Sequence, residues 1–312
     1  MKPIRETLST ANATPTPSAA LSPAMHAAPS NGSVIPIRSG TSTIAPTVIA
    51  VTSGKGGVGK TNIAVNLSVA LGARGARVLA IDADLGLANM DIVMGLAPTY
   101  TTAELVRGDA HIDEVLVQGP QNVWLLPGAS GQYDLANLTD VQRQDFFTAV
   151  DTLEDRFDVV VVDTGAGVGS NAIGFASAAK EIIVVVTPEP TSVADAYGML
   201  KVLCTRCGVR RVKVLTNLVQ GEREGEQVFR RLANLAARFL SISLDHIGSV
   251  PRDASIGRAV MRGEPAMSAF PTAAASRALE GIAERLLESE DRDERQGAMR
   301  LFWRRLLRQE AR

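Results

Sequence analysis

From Thr47 to Leu287 the chain alternates between two hydrophobic patterns. The first is the short, unbroken apolar run: Val48–Val51, Val159–Val162 and Ile182–Val186, each closed by a polar or turn residue. Such runs predict strands covered on both faces, as in a parallel sheet flanked by helices. Arg77–Ile81, Val123–Leu126, Val212–Leu215 and Ile247–Val250 repeat the signature more weakly. The second pattern has helical period. Ile63, Leu67, Ala70 and Leu71 share one face of a helix that starts at Lys60, and Gly75 marks its end. Helices are also predicted over 171–179, 191–203, 225–240 and 273–287. Thr139-Asp140-Val141-Gln142 fits a capping box and opens a helix to about Glu154. Strand–helix units in this order predict an α/β fold: a doubly wound, mostly parallel sheet with ligands at the carboxyl ends of its strands.

The two ends depart from that rhythm. Residues 1–45 are rich in Ala, Ser, Thr and Pro and have no periodic apolar pattern, so a disordered tail is expected there. The domain then spans 46–290, and 291–312 supplies a charged linker and a last helix. In that helix Met299, Phe302, Trp303, Leu306 and Leu307 fall within an arc of about 140° at helical period. Arg300, Arg304, Arg305 and Arg308 take the opposite side. A short, basic amphipathic helix with Phe and Trp on its apolar face predicts an interfacial anchor on an anionic membrane. Two other destinations fit the same pattern: the domain's own surface, or a partner helix.

Chemistry enters at the first strand. Val48–Thr61 reads VIAVTSGKGGVGKT, and Gly54, Gly59, Lys60 and Thr61 satisfy G-x-x-x-x-G-K-[ST] between a strand and a helix. In such a loop, glycines turn backbone N–H groups inward onto phosphate oxygens, and the helix start adds its positive end. Gly54 through Asn62, with Gly56, Gly57 and Val58 between, are therefore the candidate phosphate cradle. Lys60 is the point charge on the phosphates and Thr61 an oxygen ligand for Mg²⁺. Three more polar residues close strands. Asp82 and Asp84 follow the second strand, where they could cap the next helix or serve Mg²⁺ and an attacking water. Asp163 ends the four-valine strand in the position of a Walker B carboxylate, before the glycine-rich Thr164–Gly169. Asn217 follows Val212–Leu215; an amide, with donor and acceptor, suits an adenine edge or a simple turn.

Composition excludes little. Lys+Arg 32 against Asp+Glu 33 gives a net charge of -1, with no global signal for nucleic acid. No apolar run nears the roughly 18 residues that cross a bilayer, and no secretory signal opens the chain, so a cytoplasmic protein is expected. Cys204 and Cys207 form a lone C-x-x-C with no second pair and only scattered histidines. Two ordinary packed or surface cysteines are expected, a dimeric metal bridge being the alternative.

The string Lys55-Gly-Gly-Val-Gly-Lys60-Thr61 resembles the deviant Walker A box of the MinD/ParA family of ATP-sandwiched dimers. The resemblance covers 47–287. GKGGVGKTN, DADLGLANMD, VVDTGAG and EPTSVADAY are similar to its branch of flagellar number regulators, called FleN, FlhG or YlxH. It implies an ATPase using ATP and Mg²⁺, in which Lys55 reaches the partner subunit's nucleotide. It further implies that Asp84 positions the hydrolytic water and Asp82 supports the metal's hydration shell. Asn217 would read adenine, with Val250, Pro251, Arg252 and Asp253 lining the base pocket. Expected partners are a second copy when ATP is bound, the anionic inner membrane, and the FlhF GTPase, a FleQ-type activator or flagellar switch proteins. The expected location is the cytoplasm, peripheral to the inner face of the cytoplasmic membrane. The D-Q-A-x-x-L-R element by which some FlhG proteins stimulate FlhF is missing from 1–45. Cell-division site placement and DNA partition are the alternative functions within the family.

Overall fold

A computed structural model describes residues 45–84, 87–129, 139–288 and 298–310. The expectation for the N-terminal tail and that for the 291–297 linker lie outside the described residues. Among the described residues, eight strands form one sheet in the order β3-β4-β2-β5-β1-β6-β7-β8. They are β1 (Thr47–Ser53), β2 (Val78–Ala83), β3 (Val117–Gln118), β4 (Val123–Leu126), β5 (Val159–Ala166), β6 (Glu181–Val186), β7 (Arg211–Val219) and β8 (Ser243–Pro251). Every pairing is parallel except β3 with β4.

The helices in chain order are α1 (Lys60–Ala73), α2 (Met90–Met94), α3 (Thr102–Arg107), α4 (Ile112–Val115), α5 (Asp140–Asp151) and α6 (Ser170–Ala178). After them come α7 (Pro190–Cys207), α8 (Glu222–Phe239), α9 (Ala254–Arg262), α10 (Ala266–Ala269), α11 (Ala274–Glu288) and α12 (Ala298–Glu310). α1 and α11 pack on each other, while α6, α7 and α8 form a neighbouring row with α12 beside α6. The strands β1 and β5 at the sheet centre are buried on both faces, as their unbroken apolar runs demand. Leu67, Leu71, Val161, Ile183, Leu279 and Ile282 belong to the principal core. Arg77, at the start of β2, forks onto Asp158 before β5 at 2.8 and 3.0 Å and so pins the register of two central strands.

The predicted capping box of α5 is present: Thr139 accepts from Gln142 N–H at 3.2 Å, and Gln142 accepts in return from Thr139 N–H at 3.1 Å. That helix ends at Asp151 rather than near Glu154, because a 3-10 turn over Glu154–Arg156 leads into β5. The four short helices α2, α3, α4 and α10 and the two-residue β3 escape a period-based reading, since each is too brief to show one; α9, nine residues long, was not predicted either.

Candidate nucleotide site

The loop after β1 ends at Gly59, whose φ of 84° places it in the left-handed region just before α1. No side chain caps α1, so its first N–H groups stay available to an anion. Two close approaches explain two of the glycines. A Cβ on Gly54 would collide with the backbone of Asp195 in α7. One on Gly59 would come 2.6 Å from Nδ2 of Asn217. The loop is thus seated on α7 and on the end of β7 before any ligand arrives.

Its two lysines face opposite ways. Lys60 is buried, 6 % exposed, and donates to Asp163 Oδ1 at 2.5 Å. Asp163 is 1 % exposed, and its Oδ2 has no hydrogen-bond partner among the described residues. Burial raises the Asp163 carboxyl above its ordinary range, and the Lys60 ammonium pulls it back. Lys55 instead points outward, donating to Glu189 Oε2 at 2.8 Å and to Thr191 Oγ1 at 3.1 Å. Glu189 is the N-cap residue of α7. Lys55 holds its carboxyl below the usual carboxylate range. The periodicity of the sequence gave no sign of this partner; a carboxylate beside Pro190 at a helix start was the only available signal.

Asp82 and Asp163 are register partners on adjacent strands. Asp82 serves as a brace as well as a neighbour. Its Oδ2 accepts from the N–H groups of Asn89 and Met90, both at 2.9 Å, and its Oδ1 from Asp84 N–H at 3.2 Å. It therefore caps α2, the plainer of the two roles its position allowed. Burial pushes this carboxyl up to about 7, against the pull of the Met90 N–H and with a further push from Asp163. Asp84 accepts from Leu87 N–H at 3.3 Å and lies against Gly165 in the segment after Asp163. A water between Asp84 and that segment would have a base within reach.

Asn217 is buried at the end of β7 and donates from Nδ2 to the carbonyl of Val58 at 2.8 Å. One half of the amide fastens the phosphate loop, and the carbonyl half remains as an acceptor for an amino group. Asp253 does something other than present a carboxylate to a base. It caps two helices, accepting from Ser255 N–H at 2.8 Å and Ala275 N–H at 3.2 Å, and the first of these contacts lowers its pKa. Its contribution to a base pocket would be to fix α9 and α11. Pro251 ends β8, and Asn62 lies in the first turn of α1, where its carbonyl accepts from Asn66.

The hard oxygen donors Thr61, Asp82 and Asp163, with a buried acceptor oxygen lacking a partner on Asp163, suit Mg²⁺. Among the described residues no three acidic, His or Cys side chains converge on a cage, which fits a cation held chiefly by phosphates and water. Cys204 is buried and Cys207 half-buried; both are free thiols.

Residues 49–266 match the family described as the CobQ/CobB/MinD/ParA nucleotide binding domain. The chain belongs to the MinD/ParA family. As a member, it is a nucleotide-binding ATPase. Among curated relatives, the antiactivator FleN of Pseudomonas aeruginosa is 42 % identical over 77 % of this chain and 85 % of its own. The flagellum site-determining protein YlxH of Helicobacter pylori is 30 % identical over 83 % of this chain and 89 % of its own. Among solved structures, the septum site-determining protein MinD of Pyrococcus horikoshii, complexed with Mg-ADP, superposes with a TM-score of 0.64. It is 25 % identical, covering 78 % of this chain and 98 % of that one. The fold of that MinD thus holds for this chain, and a nucleotide with Mg²⁺ fits the family and the donors of its site.

The apolar face predicted for a membrane is covered by the domain in this structure, the second of the destinations its pattern allowed. α12 is docked: Met299, Phe302, Trp303 and Leu306 are each at most 2 % exposed. They pack on α5 and α6, with Trp303 edge-on to Phe146 at 5.4 Å and to Phe175 at 6.4 Å. Gly174 gives way to Leu306, since a Cβ there would come 3.0 Å from Leu306 Cδ1. Leu307 lies in the same helix. Arg304 and Arg305 face outward. No described helix is long and apolar enough to cross a membrane.

Proposed function

We propose that this ATPase is a dimerising, membrane-associating switch that regulates flagellar number or placement; of the relatives, YlxH is named a flagellum site-determining protein and FleN an antiactivator. The observation that carries the reading is the division of labour between Lys60 and Lys55. Lys60 is bound inside its own site, whereas Lys55 is held at the surface by Glu189 and Thr191. A surface cation beside the phosphate loop is placed to act on a nucleotide across a dimer interface, in the manner of an arginine finger. Asp84 would orient the attacking water, and Thr61 and Asp163 would hold the Mg²⁺ shell. Hydrolysis then depends on assembly.

The docked α12 supplies the output. α6 begins directly after Thr164–Gly169, so movement of that segment on nucleotide binding reaches the surface that holds α12. Transferring the apolar face from protein to lipid exchanges one dry environment for another, so the burial energies largely cancel. The balance falls to the outward arginines, about 1 kcal/mol each near an anionic leaflet, and to the avidity of two helices on one dimer. FlhF-type GTPases or FleQ-type activators are the proposed partners, and the cytoplasmic face of the membrane the proposed location.

Light scattering tests the core of this reading. With ATP the Asp84→Ala protein should run as a stable dimer, while Asp84→Ala combined with Lys60→Ala remains monomeric. If the Asp84→Ala protein stays monomeric with ATP bound, the dimer reading fails. Deletion in the source organism should alter flagellar number; minicells would favour cell-division placement instead.

A further inference from the structure

α7 and α8 lie side by side, and a groove of about 440 Å³ opens whose described lining is Pro190, Val193, Arg231, Asn234, Leu235 and Arg238. Arg231, Leu235, Arg238 and Phe239 succeed one another at i, i+4, i+7 and i+8, so they share one stripe of α8. Leu235 is 38 % and Phe239 69 % exposed, two large apolar side chains a turn apart. Contiguous along one stripe, they form an exposed apolar patch rather than scattered side chains, and such patches serve interaction sites. The charges beside them are also unspent. Arg230 is paired with Glu226 at 2.6 Å, but neither Arg231 nor Arg238 has a carboxylate partner among the described residues, and no carboxylate is among the described lining.

We infer that this groove docks an acidic amphipathic helix from a separate protein. An apolar floor between two helices takes the apolar face of a third, and two unpaired arginines spaced two turns apart select Asp or Glu on its flanks. The chain's own remaining segments do not qualify. Residues 289–297 read SEDRDERQG and offer acids but no apolar anchor, whereas residues 1–44 hold a single acid, Glu6, and residues 130–138, SGQYDLANL, likewise a single one, Asp134. A nucleic acid would leave Leu235 and Phe239 against a polar backbone. The α7 wall begins at Pro190, next to the Glu189 that holds Lys55, so an occupant would abut the pair that must part for Lys55 to move. The inference rests on the groove alone and stands whether or not the flagellar role does.

Fluorescence anisotropy on the full chain tests it with a labelled synthetic helix of about 16 residues, three leucines on one face and glutamates beside them. One control peptide carries Lys for each Glu, another Ser for each Leu. The glutamate peptide should bind and both controls should fail. Arg231→Glu with Arg238→Glu should weaken the glutamate peptide at least about tenfold and admit the lysine peptide. Leu235→Asp with Phe239→Asp should remove binding while nucleotide binding and circular dichroism stay unchanged. Equal binding of the glutamate and lysine peptides, failure of every peptide, indifference to these substitutions, or displacement by duplex DNA would each overturn the inference.

Discussion

The phosphate loop and α12 are both short, conspicuous stretches of sequence, yet the structure treats them differently. In the loop, three of the predicted residues meet partners fixed by the fold: Lys60 on Asp163, Val58 on Asn217, Gly54 against Asp195. In α12 the apolar face is satisfied, but by Phe146, Phe175 and the α6 surface instead of lipid. A phosphate cradle is specified by backbone geometry and a charge, which one local motif contains. An amphipathic helix specifies only that one face must leave water, and names no destination. The loop should therefore fail when its residues change, and α12 should change address.

The largest effects belong to the loop. Lys60→Ala removes the phosphate charge and strands Asp163 in the core; isothermal calorimetry should find ATP affinity lost. Thermal unfolding should show a cost of about 3–5 kcal/mol, the usual penalty for orphaning one member of a buried pair. Asp84→Ala should retain ATP but lose hydrolysis by about 100-fold or more in a phosphate-release assay. Equal turnover by parent and variant would remove Asp84 from the chemistry.

In α12 the expectation is smaller and of another kind. Gly174→Leu fills the space taken by Leu306, and overpacking of this sort costs about 1–3 kcal/mol. The cost should appear as undocking: vesicle sedimentation without nucleotide should rise while ATP affinity holds. If ATP affinity falls in step, the two regions are not separable in this way.

Proton linkage is weaker still. Burial holds Asp82 at about 7, so the folded protein keeps a proton that the unfolded chain has released. Nucleotide-free stability should therefore fall as pH rises from about 4, the ordinary carboxyl value, to about 7 and then level off. Asp82→Asn should flatten much of that slope in denaturant titrations. The smallest effect is at the surface: Glu189→Gln, which breaks the exposed pair with Lys55, should leave the melting temperature unchanged.

These contrasts mirror what could be read from the residues. The central strands were legible because parallel strands buried on both faces leave an unbroken apolar run, as Val159–Val162 does. Asp163, Lys60 and Asn217 were legible because each is the polar residue that follows an apolar run or closes the loop, although β5 and β7 continue past Asp163 and Asn217 to Ala166 and Val219. The clasp of Lys55 on Glu189 was not, since it joins residues 134 positions apart through an α7 start that carries no periodic signal. Helix capping was one of the two roles legible for Asp82, whereas that of Asp253 was hidden because a cap leaves no pattern beyond itself. For α12, pattern gave the face and the fold gave the address.

Trp303 makes the central claim directly measurable, because the chain has only 2 tryptophans and Trp124→Phe leaves it alone. Its fluorescence would be followed with anionic vesicles containing brominated lipid, with and without a non-hydrolysable ATP analogue. The account predicts a buried, unquenched signal without nucleotide and strong quenching when nucleotide and vesicles are both present. Unquenched fluorescence under both conditions, with the analogue bound, would contradict it.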